Sequence, residues 1–170
     1  MNLVRLTTVM FCTFLLLSTQ SLTAQELNEH LKIFEPIIGK TWIGYFQNPI
    51  NTGLTHTCNW EIIKNGNAVR LNKTVPEVDG FSMEITYYWD RIEEVVKFLT
   101  LSSNGYISNG TVTTEGNKIV TQGFQVGPDR TNTFKLTLEI GEDGNLHDYF
   151  YSLVDDNWKP GHYIKYSAEE

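Results

Sequence analysis

The chain has 170 residues, 41% of them hydrophobic and 12% aromatic, which is enough for one domain with its own core. Thirteen basic residues stand against 20 acidic ones, a formal charge of −7. That balance argues against nucleic acid or anionic membrane as a partner, because phosphate binding needs clustered Lys and Arg.

The first segment reads as a leader. Arg5 is its only charge, and Thr7–Leu17 run apolar through Val9, Met10, Phe11, Phe14, Leu15, Leu16 and Leu17. Small and polar residues follow from Ser18 to Ala24. A basic start, an apolar core and a small-residue cleavage site are the parts of a secretory signal peptide. The apolar run is shorter than the roughly 20 residues of a membrane span. Residues 1–24 are therefore expected to be a signal peptide, with 25–170 as the folded domain and no membrane span after cleavage. The Thr23-Ala24-Gln25 junction resembles the export signals of Bacteroidota, which implies a bacterial periplasm or exterior. Cleavage leaves 146 residues, removes Arg5 and takes the charge to −8. Cys58 is then the only cysteine, so an intrachain disulfide is excluded and the core alone must hold the domain.

The mature segment opens on a short helical pattern, with Leu27, Leu31 and Phe34 at helical spacing and Pro36 as its stop. After Gly39 the period changes to two. Ten strands are expected at 40–47, 54–64, 67–76, 82–90, 94–102, 106–114, 118–126, 131–141, 145–154 and 157–167. Turn residues separate them, among them Asn65-Gly66, Asn104-Gly105, Asp143-Gly144 and Asp155-Asp156. Short strands at such even spacing predict an all-β, antiparallel up-and-down barrel, with the opening helix capping one end.

Asx-Gly pairs favour two-residue type I′ turns, which fix the register on either side. With Asn65-Gly66 at the tip, Ile62 faces Val69, Trp60 faces Leu71, Cys58 faces Lys73 and His56 faces Val75. The opposite face then pairs Glu61 with Arg70, Asn59 with Asn72 and Thr57 with Thr74. The same rule at Asp143-Gly144 sets Ile140 against His147, Leu138 against Tyr149, Leu136 against Tyr151 and Phe134 against Leu153. At Asp155-Asp156 it sets Tyr151 against Pro160 and Tyr149 against His162. These registers predict an inward face that includes His147, Tyr149, Tyr151, Leu153, Trp158, His162, Ile164 and Tyr166. Lys135, Glu139, Asp148, Lys159 and Lys165 are predicted to point outward.

A helix stopped by Pro36, then Gly39-Lys40-Thr41-Trp42-Ile43-Gly44 and a meander of strands, resembles the lipocalin-like (calycin) proteins. The variant Gly-x-x-Trp-x-Gly is similar to the opening of small bacterial lipocalin-like families and, more distantly, of fatty-acid-binding-protein-like and nitrobindin-like barrels. The resemblance implies a ligand-holding barrel in which Trp42 plugs the base beneath the opening helix. Nitrobindin-like barrels hold haem through a histidine in a His-Leu context, which Gly161-His162-Tyr163 does not match. No cofactor is therefore expected, with haem kept as an alternative.

The candidate ligand-binding residues are Trp60, Lys73, Tyr87, Trp89, Tyr149, Tyr151 and His162. The aromatics supply apolar wall. Lys73, pointing inward among Leu71 and Val75, needs a carboxylate partner or a route to the rim, and could anchor a carboxylate or phosphate head group. His56, His147 and His162 lie on separate strands without the short spacing of zinc ligands, so no metal site is expected. Cys58 lacks a spaced base and orienter and reads as a small buried hydrophobe, which leaves no catalytic residue to name. The expected function is an exported binder of a small, apolar or amphiphilic molecule held in the lumen. The alternatives are an isomerase or hydrolase working in the lumen with His and Tyr as acid and base, and an interaction module whose barrel is filled.

Overall fold

The computed structural model describes residues 26–47 and 53–169. The expected leader, residues 1–24, lies outside the described residues. Ten strands follow in chain order: β1 (Thr41–Phe46), β2 (Thr55–Ile63), β3 (Ala68–Thr74), β4 (Ser82–Asp90), β5 (Val95–Ser102), β6 (Ile107–Glu115), β7 (Lys118–Val126), β8 (Thr131–Ile140), β9 (Leu146–Val154) and β10 (Asn157–Ala168). Each pairs antiparallel with its chain neighbours, and β1 closes on β10 to make a barrel. Among the described residues no helix is long and apolar enough to cross a membrane.

The expected opening helix is a single 3-10 turn, Glu29–Phe34, whose first turn is capped by the Asn28 side chain accepting from the His30 N–H. Six residues ending near Pro36 are too few for a stable α-helix, so tertiary packing decides their form. Leu31 and Phe34 are wholly buried. Phe34 lies against Trp60 and Tyr87, with ring centroids 5.7 and 4.6 Å apart. Trp42 is 1% exposed and donates its indole N–H to the Ile37 carbonyl at 3.0 Å. These side chains fill one end of the barrel, which we call the closed end. Gly44 on β1 belongs to the same packing, since a Cβ there would lie 2.3 Å from the Tyr166 ring.

The hairpins test the register arithmetic. At Lys64–Asn67 three successive residues, Lys64 (φ 53°), Asn65 (φ 55°) and Gly66 (φ 84°), are left-handed. The last two are the central pair of a type I′ turn, and the Asn67 N–H bonds the Lys64 carbonyl one step beyond the last ladder pair, Ile63 with Ala68. The predicted pairs Cys58 with Lys73, Trp60 with Leu71 and Ile62 with Val69 are all present. At Asp143-Gly144 the expectation fails. Only Gly144 has positive φ, and Gly141 N–H bonds the Asn145 carbonyl across a three-residue loop. This is a type I turn with a left-handed closing residue, the second common use of an Asx-Gly pair. Ile140 therefore pairs with Leu146, Leu138 with Asp148, Leu136 with Phe150 and Phe134 with Ser152.

A slip of one residue exchanges the faces of a strand. His147, Tyr149, Tyr151 and Leu153 thus turn outward, and Asp148, expected outside, turns inward with 1% exposure. Trp158 is outward too, with the Lys135 ammonium 5.3 Å from its ring and 5.1 Å from that of Tyr151. Lys159 pairs with Ser152 on the inner parity, but it lies at the barrel's end and is exposed. On β10 the predicted pair of Tyr151 with Pro160 is present, and a bulge between Pro160 and Tyr163 then places Tyr149 opposite Tyr163. The bulge inserts one residue, which compensates for the slip in β9. His162, Ile164 and Tyr166 consequently face inward as expected, for a reason the turn rule did not contain.

Candidate functional site

Opposite the closed end the barrel encloses a cavity of about 260 Å³. Its apolar wall comes from Phe81, Met83, Ile85, Phe98, Phe134, Leu136 and Phe150, with Tyr87 at the inner end. Alternation explains the wall: on β5 the inward residues Val96, Phe98 and Thr100 are buried, while Leu99 and Leu101 between and beyond them are exposed. Thr100, Ser108, Thr121 and Gln125 add neutral polar groups to the same lining, and Arg130, which is exposed, also borders it. A smaller void of about 30 Å³ lies deeper, bounded by Cys58, Trp60, Asp148 and Tyr166 among others. The two spaces share Lys73, Ile85, Tyr87 and Leu136 as walls.

Lys73 stays in the β3 ladder and points inward, 8% exposed. Its partner is Asp148, with Nζ 3.5 Å from Oδ2. Burial works against the Lys73 charge, the Cys58 and Asp148 anions work for it, and the net direction of its pKa is upward. Burial pushes the pKa of Cys58 itself up, so at neutral pH Cys58 is a thiol and the Asp148 carboxylate is the partner that acts. Tyr166, also buried, is held well above its ordinary value by burial first and then by Cys58 and Asp148.

Both inward histidines are neutral. Burial, with the nearby Lys73 and His162, lowers His56 to about 2. Its Nδ1 lies 3.3 Å from the Tyr166 hydroxyl. Burial pushes His162 down as well; Asp148 opposes that shift and Lys73 adds to it. His162 stacks on Phe150 at 4.9 Å, and its Nε2 stands 3.9 Å from Asp148 Oδ1, too far for a hydrogen bond. The inner face thus holds one cation, one anion and two neutral imidazoles in close contact. Among the described residues four buried side-chain polar atoms have no hydrogen-bond partner: Trp60 Nε1, Thr121 Oγ1, Asp148 Oδ1 and His162 Nε2.

Of the seven residues expected to bind a ligand, the structure brings Lys73, Tyr87 and His162 to the cavity and Trp60 to the deeper void. Trp89 packs at the closed end instead, stacked on His30 with centroids 3.6 Å apart. Tyr149 and Tyr151 are outside the barrel, where Tyr149 stacks on Tyr163 at 4.6 Å. His147, expected inside, accompanies them, with Nδ1 2.8 Å from the Tyr163 hydroxyl. The residue most missed by the sequence is Asp148. Its signal was available, because Leu146, Asp148 and Phe150 alternate and the flanking pair is apolar. Among the described residues no group of three His, Cys, Asp or Glu side chains is placed to hold a metal.

The closed ten-stranded antiparallel barrel is consistent with a calycin or lipocalin-like fold. Comparison with protein-family models and with curated proteins finds no match.

Proposed function

We propose that this chain is an exported, lipocalin-like carrier or sensor that holds one small amphiphilic molecule in its lumen. The observation that carries the reading is the cavity of about 260 Å³, apolar along its walls and polar at its inner end. Ligand pockets combine a mostly apolar lining with a few convergent polar groups and typically span about 300–1,000 Å³. This one sits just below that range and suits a small guest. An eight-stranded barrel is about wide enough for side chains to fill, and ten strands leave room to spare. The leader at residues 1–24 supports delivery to the periplasm or exterior. The polar groups of the lumen are placed to bind and orient such a guest.

The test is a fluorescence titration with an apolar probe, with Leu136→Trp as the comparison, since Leu136 borders both spaces. The expected result is one-to-one binding by the wild type and at least tenfold weaker binding by the folded variant. A folded wild type that takes up no probe contradicts the reading.

A further inference from the structure

The carrier reading leaves open which head group the lumen accepts, and the inference below rests on that reading. We propose that the lumen selects a neutral, hydroxyl-bearing amphiphile, its hydroxyl seated in the deep void between Trp60 and Asp148 and its chain extending into the main cavity.

Trp60 and Asp148 both border that void, and each carries a buried atom without a hydrogen-bond partner. Trp60 Nε1 is a donor only, and Asp148 Oδ1, on the carboxylate that pairs with Lys73, is an acceptor. A hydroxyl satisfies both, accepting from the indole N–H while donating to the carboxylate. A ligand carboxylate can accept from Trp60 but has nothing to donate to Asp148. An ammonium donates to Asp148 but cannot accept. An ether accepts and cannot donate. The void's volume, about 30 Å³, exceeds the roughly 10–15 Å³ that one water-sized group needs.

Charge leads to the same class. Lys73 is the only cation lining the deep void among the described residues, and it is already paired with Asp148 at 3.5 Å. An incoming carboxylate would be attracted by Lys73 and repelled by Asp148, leaving its own desolvation uncompensated. An incoming ammonium meets the mirror image of the same balance. The neighbouring titratable groups, His56 and His162, are neutral imidazoles, and Cys58 and Tyr166 stay protonated. Higher in the cavity, Thr100, Ser108, Thr121 and Gln125 are also uncharged. The cavity of about 260 Å³ beyond the void leaves room for a medium-length apolar chain on that hydroxyl.

The experiment is displacement of an apolar fluorescent probe from the purified protein at pH 7.5 by octan-1-ol, octanoate, octylamine and 1-methoxyheptane. Octan-1-ol is expected to displace the probe at least tenfold more effectively than each of the other three. The ether isolates the hydrogen bond from simple apolarity. Trp60→Phe should reduce the preference for alcohol over ether to less than threefold. Asp148→Asn leaves Lys73 without its counter-ion and should turn the preference toward octanoate. Equal displacement by alcohol and ether overturns the inference, and points to a trapped water in the void. Tighter binding of octanoate by the wild type also overturns it. If that advantage disappears in Arg130→Gln, the acid sits with its head at the mouth. Probe uptake with no displacement by octan-1-ol overturns the inference while sparing the carrier reading. Failure to take up any probe overturns both. The wild-type series decides the matter even where the Asp148 variant does not fold.

Discussion

Lowering the pH from 7 should weaken the fold, and His56 is the main reason. In the folded protein its imidazole is 9% exposed, close to Lys73 and His162, and titrates near 2. In the unfolded chain it regains an ordinary value near 6.5. Between these values the unfolded state binds a proton that the folded state refuses, so stability must fall as pH falls. Each unit of difference corresponds to about 1.36 kcal/mol. Going from pH 7 to 4.5 therefore costs about 2.5 kcal/mol from this residue, a large part of a typical domain's 5–15 kcal/mol. His162, also pushed down, adds in the same direction. The carboxylates whose pKa is lowered by their partners, such as Glu61 beside Arg70 and Asp143 beside Lys165, begin to lose their contribution near about pH 5 and lose most of it at lower pH. Comparison with a variant lacking the His56 imidazole separates the two contributions. Urea unfolding at pH 7.5 and 4.5 measures the effect, and His56→Gln should remove most of it. A wild-type stability independent of pH over this interval, or an unchanged pH dependence in the variant, would refute the reasoning.

Other perturbations follow from the same geometry. Gly66→Val forces a β-branched residue into φ 84°, with its Cβ 1.9 Å from the Glu26 carbonyl oxygen; it should cost at least about 1–3 kcal/mol in chemical denaturation. Asp148→Leu strands the buried Lys73 charge and should cost about 3–5 kcal/mol, much of it recovered when Lys73→Met is added; a double-mutant cycle measures the recovery. Tyr149→Ser removes an outward ring and should leave probe affinity in the lumen unchanged within a factor of two, as a fluorescence titration will show. N-terminal sequencing of the exported protein should begin at Gln25, and a sequence beginning at Met1 would rule out the leader.

The strand pattern was legible because apolar alternation and Asx-Gly punctuation recur along the whole chain, and most strand limits agree with the structure to within a residue. Face assignment was less secure, and the reason is local. Asn65-Gly66 and Asp143-Gly144 look equivalent in sequence, yet one is the centre of a type I′ turn that keeps the two-residue register and the other closes a three-residue loop. The Asp143 side chain makes the difference plausible in physical terms: its Oδ1 accepts from the Asn145 N–H at 3.1 Å, an interaction that holds Asp143 out of the left-handed region. The slip carried Tyr149 and Tyr151 out of the predicted site and brought Asp148 in. The bulge at Gly161 had a signal of its own, since Pro160-Gly161 interrupts the last strand and a Pro or an isolated Gly inside a strand marks a bulge. What the sequence does not carry is the close packing there, where a Cβ at position 161 would come within 2.7 Å of the Phe150 ring. Lys73 was readable throughout, since the correctly placed Asn65-Gly66 turn fixes its side. Its partner does not follow from the turn rule, because a two-residue turn at Asp143-Gly144 puts Asp148 outside; only the apolar flanks Leu146 and Phe150 point it inward.

The most direct measurement of the central claim is native mass spectrometry of the protein purified from its own host, beside the Leu136→Trp variant purified the same way. The wild type should carry a single non-covalent adduct of small mass, released on denaturation, and the variant should lack it. A wild type that flies at the bare mass of its chain, indistinguishable in loading from the variant, would contradict a lumen built to hold a ligand.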